Sequence, residues 1–448
     1  MQNDTSVLTL RKHAIEMFSE GVNAADPKAA VIRSLMSKTK YTLNESVHHA
    51  LNISKCPIQI ISFGKAAIPM IEGAIECIDN TRLKTMPIAV TNYQNVVDHP
   101  KIEVLGAGHP IPNEDGLIAA EKIKKTAQNA GTDDLILALI SGGASALLPM
   151  PAASISLRDK QELTQLLLFS GANIYETNTV RKHISNIKGG GLVRFTSPST
   201  LQTLIISDVI DNDISTIASG LATGDPTTFN EAVSILQSLN IWEKTPTSIQ
   251  DHLSNGCYGL TPETLFPDDP MLKNTFNSII ASNLTSLNAV SKCSKAKGYK
   301  TIIVNKMLVG ESRNAATEFI SKIAKRVEKP TAYISGGETT VTVRGSGSGG
   351  RNQEMALALA IEANSKVNPN HWVFLSGSTD GIDGPTNAAG GLVDSKTSDR
   401  IKMSGHDAAR FLEDNNSYQA LSESGDLIIT GSSGTNVADI QILLMHPG

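Results

Sequence analysis

Residues 135–145 read LILALISGGAS. Six apolar residues, Leu135 to Ile140, run without alternation into Ser-Gly-Gly. A strand buried on both faces has this form, as in a parallel sheet covered by helices. The glycine pair lets the chain turn tightly and leaves backbone N–H groups open. The form recurs along the chain: IQIISFGKAA at 58–67, LIISDVIDND at 204–213, TAYISGGETT at 331–340, WVFLSGSTDGIDG at 372–384 and LIITGSSGTN at 427–436. Ligands of parallel sheets bind beyond the carboxyl ends of the strands, so these small or reactive residues stand where a site would form.

Outward from these runs, strands are expected at 58–62, 87–91, 135–140, 203–207, 278–281, 301–304, 331–334, 339–344, 371–375 and 427–430. Stretches with helical spacing lie between many of them, at 116–130, 159–170, 284–297 and 352–363. Alternating strands and helices define an α/β fold with parallel sheets. The interval 243–274 breaks the rhythm with Pro246, Pro262, Pro267 and Pro270. It reads as a connection, or a helical hairpin, between two α/β halves. The expected domains are therefore 1–273 and 274–448.

Composition narrows the function. The chain has 448 residues, 40% hydrophobic and 19% charged, enough to bury sizeable cores. Its longest apolar run falls far short of the roughly 18 residues a membrane helix needs. The start, MQNDTSVLTLRKH, lacks a basic segment followed by an apolar one, so no secretory signal is expected. Cys56, Cys77, Cys257 and Cys293 form no CxxC or zinc spacing and read as reduced thiols of a cytoplasmic protein. A net charge of −5, no basic block and 4% aromatics argue against a nucleic-acid partner. GxSxG, HExxH and protein-kinase motif sets are absent from the sequence.

The richest segment, 335–360, reads SGGETTVTVRGSGSGGRNQEMALALA. Thr340 to Val343 alternate like a half-exposed strand; a Gly-rich loop over 345–350 follows; Arg351 and Asn352 open a helix. Loop amides, a helix N-terminus and a guanidinium there suit an anion, although the segment does not match a P-loop. It also satisfies GxGxxG at Gly345, Gly347 and Gly350, but no acidic residue suited to a ribose ends the next strand. Lys65, just past the first strand, is placed for a phosphoryl oxygen. Asp208, Asp211, Asp213, Asp380 and Asp383 follow strand ends and suit Mg²⁺, a general base, or turn capping. Arg181, Lys182, His183 and Lys188, in NTVRKHISNIKGGG at 178–191, offer cations for a carboxylate, or else a solvated basic face.

Together these residues resemble the class II glycerate 2-kinase family, also called the MOFRL family, whose members have often been labelled hydroxypyruvate reductases. The resemblance runs over nearly the whole chain: FGKAA at 63–67, GHPIPNEDG at 108–116, LISGGASALL at 139–148, NTVRKHISNIKGG at 178–190, ISDVIDNDISTIASG at 206–220, ISGGETTVTVRG at 334–345, GGRNQEMALA at 349–358, STDGIDGPTNAAGG at 378–391 and GTNVADIQ at 434–441. It implies Mg²⁺-assisted transfer of the γ-phosphoryl of ATP to the 2-hydroxyl of D-glycerate. It also implies a larger Rossmann-like domain with a parallel sheet, a smaller α/β domain with a mixed sheet, and a cleft between them. The family's Lys and Arg map onto Lys65 and Arg351. The expected site follows from the matched motifs. Lys65, Arg351 and Asp208 act in catalysis. Gly142, Gly143, Ser145, Gly337, Glu338, Thr339, Gly349, Gly350 and Asn352 bind nucleotide or phosphate. His109, Asn178, Arg181 and Lys188 bind the acid, and Asp208, Asp380 and Asp383 hold the metal.

Departures from the family pattern accompany the match. Gly191 stands where the family usually has Arg. Leu221 and Ala222 follow Gly220 in place of Pro-Thr, Ser432 and Ser433 interrupt the last glycine motif, and Ser346 and Ser348 replace loop cations. The expected protein is a cytoplasmic kinase of glycerate or a related small hydroxy acid, without nucleic-acid or membrane partners and with a homodimer left open. An NAD(P)-dependent hydroxypyruvate reductase and a non-catalytic ligand-binding homologue are the alternatives.

Overall fold

Three strands of the first unit, at Ile58–Phe63, Ile88–Asn92 and Leu135–Ile140, are buried along their whole length, as unbroken apolar runs require. The computed structural model describes residues 2–36, 56–209, 211–366 and 371–447. The chain forms two compact units, Pro27–Ile280 and a second made of Met1–Asp26 with Ala281–Gly448.

In the first unit, β1 (Ile58–Phe63), β2 (Ile88–Asn92), β3 (Glu103–Ala107), β4 (Leu135–Ile140), β5 (Thr200–Ile206) and β6 (Thr275–Ala281) form one sheet in the order β3-β2-β1-β4-β5-β6. The pairings among β1 to β5 are parallel. The order reverses at β1 and β4, so the two central strands deliver their carboxyl ends side by side. This is the switch point where open α/β sheets bind ligands. The Ala67–Cys77 and Glu114–Gln128 helices follow β1 and β3. Residues such as Phe63, Val90, Ala119, Ile123, Ile136 and Leu147 fill the core between sheet and helices. Each large apolar side chain buried this way contributes about 1.5–3 kcal/mol. The proline-rich interval 243–274 contains the Thr247–Cys257 helix and no strand, and Ile249 and Leu253 pack against Leu163, Val180 and Phe229.

In the second unit, β7 (Lys300–Leu308), β8 (Thr331–Gly337), β9 (Trp372–Ser378), β10 (Gly390–Asp394), β11 (Leu427–Ile428) and β12 (Asp439–Met445) lie in the order β11-β10-β9-β12-β8-β7. Only β7 and β8 pair in parallel; β12 runs antiparallel to both β8 and β9. The sheet is therefore mixed. Because β12 is reversed, its first residue, Asp439, lies beside Gly337 and Ser378, where β8 and β9 end.

The first helix, Gln2–Ala24, belongs to this second unit, whereas the sequence reading placed it in the first domain. Leu10, Met17 and Phe18 pack against Ile440, Ile442 and Leu375. Arg11 reaches Asp394 at 2.6 Å and Asp426 at 2.9 Å. The strand expected at 339–344 is absent: only Thr340 makes an isolated bridge, to Glu311. Among the described residues no helix is long and apolar enough to cross a membrane.

Candidate active site

Two strand ends interlock at the switch point of the first unit. Gly64, after β1, has φ +128°, and a Cβ there would strike Ser141. Its neighbours then bond across: Lys65 N–H donates to the Gly142 carbonyl at 2.9 Å, and Ala66 N–H to Ser141 Oγ at 3.0 Å. Asn95 fixes the Lys65 carbonyl at 2.8 Å. The Lys65 backbone is thus held while its side chain stays exposed. Gly143 has φ +88°, a conformation that favours glycine, and an added Cβ would lie 3.1 Å from the His109 ring and 3.5 Å from the Lys65 side chain. Asp208, after β5, sits directly against Gly142. One small area therefore carries Lys65, His109, Asp208 and the Gly142-Gly143 turn.

The electrostatics differ by residue. Burial raises the Asp208 carboxyl above its ordinary range, opposed by its own backbone N–H and the Lys65 charge. Partial burial and the Lys65 charge lower the His109 imidazole, so it is neutral near pH 7. Farther along the same surface, Lys188 is buried and donates to the Ser145 carbonyl at 2.9 Å and Ser145 Oγ at 2.8 Å. Ser145 Oγ meets Ser219 Oγ at 2.9 Å, and Ser219 Oγ donates to Asn178 Oδ1 at 3.1 Å. Asn178, Ser145 and Lys188 thus form one polar chain. Lys182 and His183, from the same basic run, are committed elsewhere: Lys182 pairs with buried Asp225 at 3.2 Å, and His183 with Glu263 at 3.0 Å.

In the second unit Arg351 opens the Arg351–Lys366 helix and is gripped by Asp439. Its Nε and Nη2 donate to the two carboxylate oxygens at 2.6 and 2.8 Å, and Nη1 lies 3.2 Å from Glu338. Burial disfavours the guanidinium charge, yet the Asp439 hydrogen bonds and charge, with Glu338, hold its pKa above the ordinary value. Complete burial raises the Asp439 carboxyl, and Arg351 opposes that shift. Thr339 Oγ1 meets Ser312 Oγ at 2.9 Å, and Gly337 lies too close to the Leu308 backbone to carry a side chain.

Two expectations change here. Asp383 was expected at a metal, but its oxygens receive the backbone N–H groups of Asn352 and Gln353 at 3.1 and 2.9 Å, plus both side-chain amides. It caps the helix as an internal anion, and burial pushes its carboxyl up to about 6. The loop 345–350 was expected to cradle phosphate. Arg344 and Gly345 N–H instead donate to Asn415 Oδ1, Ser346 N–H to Asp414 Oδ1, Gly347 N–H to the Asp414 carbonyl, and Ser348 N–H to Asn416 Oδ1. The loop is pinned rather than floppy. Only the amides of Gly349 and Gly350 make no hydrogen bond among the described residues.

Asp380 remains available in part. Its Oδ1 receives Ser378 Oγ at 2.7 Å and Ile382 N–H at 3.0 Å, while its second oxygen takes no donor among the described residues. Among the described residues Asp208 is braced by its own backbone N–H alone. Among the described residues no group of three His, Cys, Asp or Glu side chains comes together to hold a metal. A Mg²⁺ held by Asp208 or Asp380 would take its remaining ligands from phosphates and water, as that ion commonly does.

Comparison with known proteins agrees with this architecture. A domain of unknown function (DUF4147) matches residues 13–254, and the MOFRL family matches residues 331–439. A glycerate 2-kinase of Pyrococcus horikoshii is 38% identical over 98% of this chain and 98% of its own. A D-glycerate 2-kinase of Thermotoga maritima is 35% identical, covering 98% and 99%. The crystal structure of a glycerate kinase from Thermotoga maritima superposes with a TM-score of 0.85 at 34% identity, over 98% of this chain and 99% of that one. The chain belongs to the class II glycerate kinase family.

The departures of this class II glycerate kinase chain now have physical accounts. Gly191 is buried, and a Cβ there would strike the Asn186 carbonyl, so this backbone excludes an arginine. Leu221 and Ala222 are buried in the core of the first unit. Ser346 bonds Asp414, replacing a loop cation by a tether. Sequence reading missed Asp439, Ser219 and Ser141. Asp439 lay inside the quoted GTNVADIQ motif, but its role depends on an antiparallel strand that the sequence did not announce.

Proposed function

We propose that this chain is an ATP-dependent kinase that phosphorylates the 2-hydroxyl of D-glycerate or a closely related small hydroxy acid. The observation that carries the reading is the first unit's switch point. It holds a rigidly seated Lys65, a carboxylate with a raised pKa at Asp208 and a chain of donors ending in buried Lys188. Phosphoryl transfer asks for positioning and charge neutralisation rather than covalent chemistry. Lys65 places positive charge on the transferring group. Asp208 orients the substrate hydroxyl and accepts its proton, a task its raised pKa suits. Neutral His109 contacts the acid without adding charge, and Asn178 and Lys188 orient it from the other side. Arg351, held by Asp439 and Glu338, is the cation that the second unit offers to a phosphate oxygen. Mg²⁺, if bound, would supply charge neutralisation to the phosphate. Asp380 in the second unit, or Asp208 in the first where it is not the base, would hold it. Gly142, Gly143, Gly349 and Gly350 offer backbone N–H groups to phosphate oxygens. The site works in the cytoplasm, where the four free cysteines stay reduced.

A reductase would need a loop of open amides for a dinucleotide pyrophosphate. The GxGxxG segment at 345–350 has spent Gly345 and Gly347 on residues 414 and 415. That favours the kinase reading.

The test is ADP release from ATP and Mg²⁺ with D-glycerate. Lys65→Ala and Arg351→Ala are each expected to lower kcat by about 10²–10³-fold, the cost of removing one preorganised charge donor. Full turnover by Lys65→Ala refutes the role given to that lysine.

A further inference from the structure

Lys160 and Lys188 are buried in the first unit and Arg181 is partly buried, and among the described residues none of the three pairs with a carboxylate. Lys160, on the Leu157–Phe169 helix, is 4% exposed, and its Nζ has no hydrogen-bond partner. Lys188 is 2% exposed and spends two donors on Ser145, leaving a third. Arg181, at the end of the Ile174–His183 helix, is mostly buried and makes no hydrogen bond or ion pair among the described residues. The two helices share one apolar core through Leu163, Leu167, Val180 and Ile184. That packing brings the charges together. The Arg181 charge acts on Lys160, and both act on Lys188.

Three carboxylates of these elements have partners: Asp159 receives the Ser248 hydroxyl and the Ser156 N–H, one oxygen of Asp225 pairs with Lys182, and Glu263 lies 3.0 Å from His183. A buried, unpaired ammonium is costly, and two of them beside a guanidinium cost more. Such a cluster relieves its repulsion by losing a proton or by taking up an anion.

We propose that Lys160 joins Arg181 and Lys188 in a buried anion site that receives the carboxylate of the small acid substrate. This rests on the kinase reading for the identity of the acid, though not for the existence of the site. Lys188 ties the site to Ser145, and so to the Gly142-Gly143 turn where the hydroxyl reacts. The site also predicts proton uptake. Burial, then the Arg181 charge, lowers the Lys160 ammonium to about 7, and Lys188 is likewise depressed by burial, Lys160 and Arg181. Arg181 is the charged group that acts on Lys160, and Lys160 and Arg181 both act on Lys188. An arriving carboxylate reverses that balance and recharges the lysine.

The experiment is calorimetric titration of D-glycerate into the full chain at pH 7.5, in two buffers of different ionisation enthalpy. The same titration is made with tartronate and with sulfate. Wild type is expected to take up more than about half a proton per D-glycerate bound. Lys160→Met should bind at least tenfold more weakly, take up less proton, and keep its KM for ATP. Thermal melting checks that the variant is folded; if it is not, the wild-type proton count decides alone, and zero uptake overturns the proposal. Unchanged affinity and uptake in Lys160→Met also overturn it. Should D-glycerate fail while tartronate or sulfate binds with Lys160-dependent proton uptake, the site stands and the substrate reading falls. Should none of the three bind in that way, the site itself is refuted.

Discussion

Replacing Asp439 by Asn removes the anchor of Arg351 with little change in volume. In the native protein the fully buried carboxylate receives two guanidinium donors, at 2.6 and 2.8 Å. Deleting one partner of a buried ion pair costs about 3–5 kcal/mol, because the other charge is left uncompensated. The Arg351 side chain is 24% exposed and keeps Glu338 at 3.2 Å, and Asn retains one neutral acceptor. The lower end of the range therefore applies, about 3 kcal/mol, or about 150-fold in the unfolding equilibrium. Trp372 is fully buried in β9, beside β12, and Trp242 lies in the first unit. With Trp242→Phe as background, urea unfolding followed by fluorescence reports the second unit alone. For a slope of about 2 kcal/mol per M, the midpoint should fall by about 1.5 M. A shift under about 0.3 M would show that the pair contributes little to the fold and that Arg351 is held by something else.

Other outcomes follow from the same structure. Lys160 binds its proton more weakly folded, with a pKa of about 7, than unfolded, near the ordinary 10.5. The unfolded chain therefore holds more protons between these values, and ligand-free stability should rise with pH across that window, by about 1 kcal/mol per pH unit. Denaturant titrations at pH 7, 8 and 9 test this, and Lys160→Met should flatten the rise. Gly191→Arg should destabilise the first unit by about 1–3 kcal/mol through overpacking against the Asn186 carbonyl, seen as a lowered Tm. Ser219→Ala breaks the link between Ser145 and Asn178, and should raise KM for the acid more than KM for ATP.

Much of this was legible in the chain itself. β1, β4, β8 and β9 are runs buried on both faces, and such runs announce themselves without alternation. β10 and β12 did not. β10 starts with two glycines and offers few side chains to read. β12, DIQILLM, is an apolar run near the chain end whose place between β8 and β9 is a long-range pairing. Thr340 to Val343 alternate convincingly but find no partner strand beyond the bridge at Thr340. The first helix shows an apolar face, yet no local signal says that it packs on β9 and β12 rather than on the first sheet. Lys65, Asp208 and Lys188 were visible because they follow strand ends or a glycine turn. Lys160 was not, since a lysine in a helix reads as solvated until a second helix covers it.

The central claim is that the switch point of the first unit serves phosphoryl transfer to a small hydroxy acid. Phosphorus NMR of a reaction containing the full chain, ATP, Mg²⁺ and D-glycerate tests it most directly. ADP and a new phosphomonoester on the 2-hydroxyl are expected in equal amounts, with both signals lost in Lys65→Ala. No phosphomonoester, together with NADH oxidation in the presence of hydroxypyruvate, would contradict it.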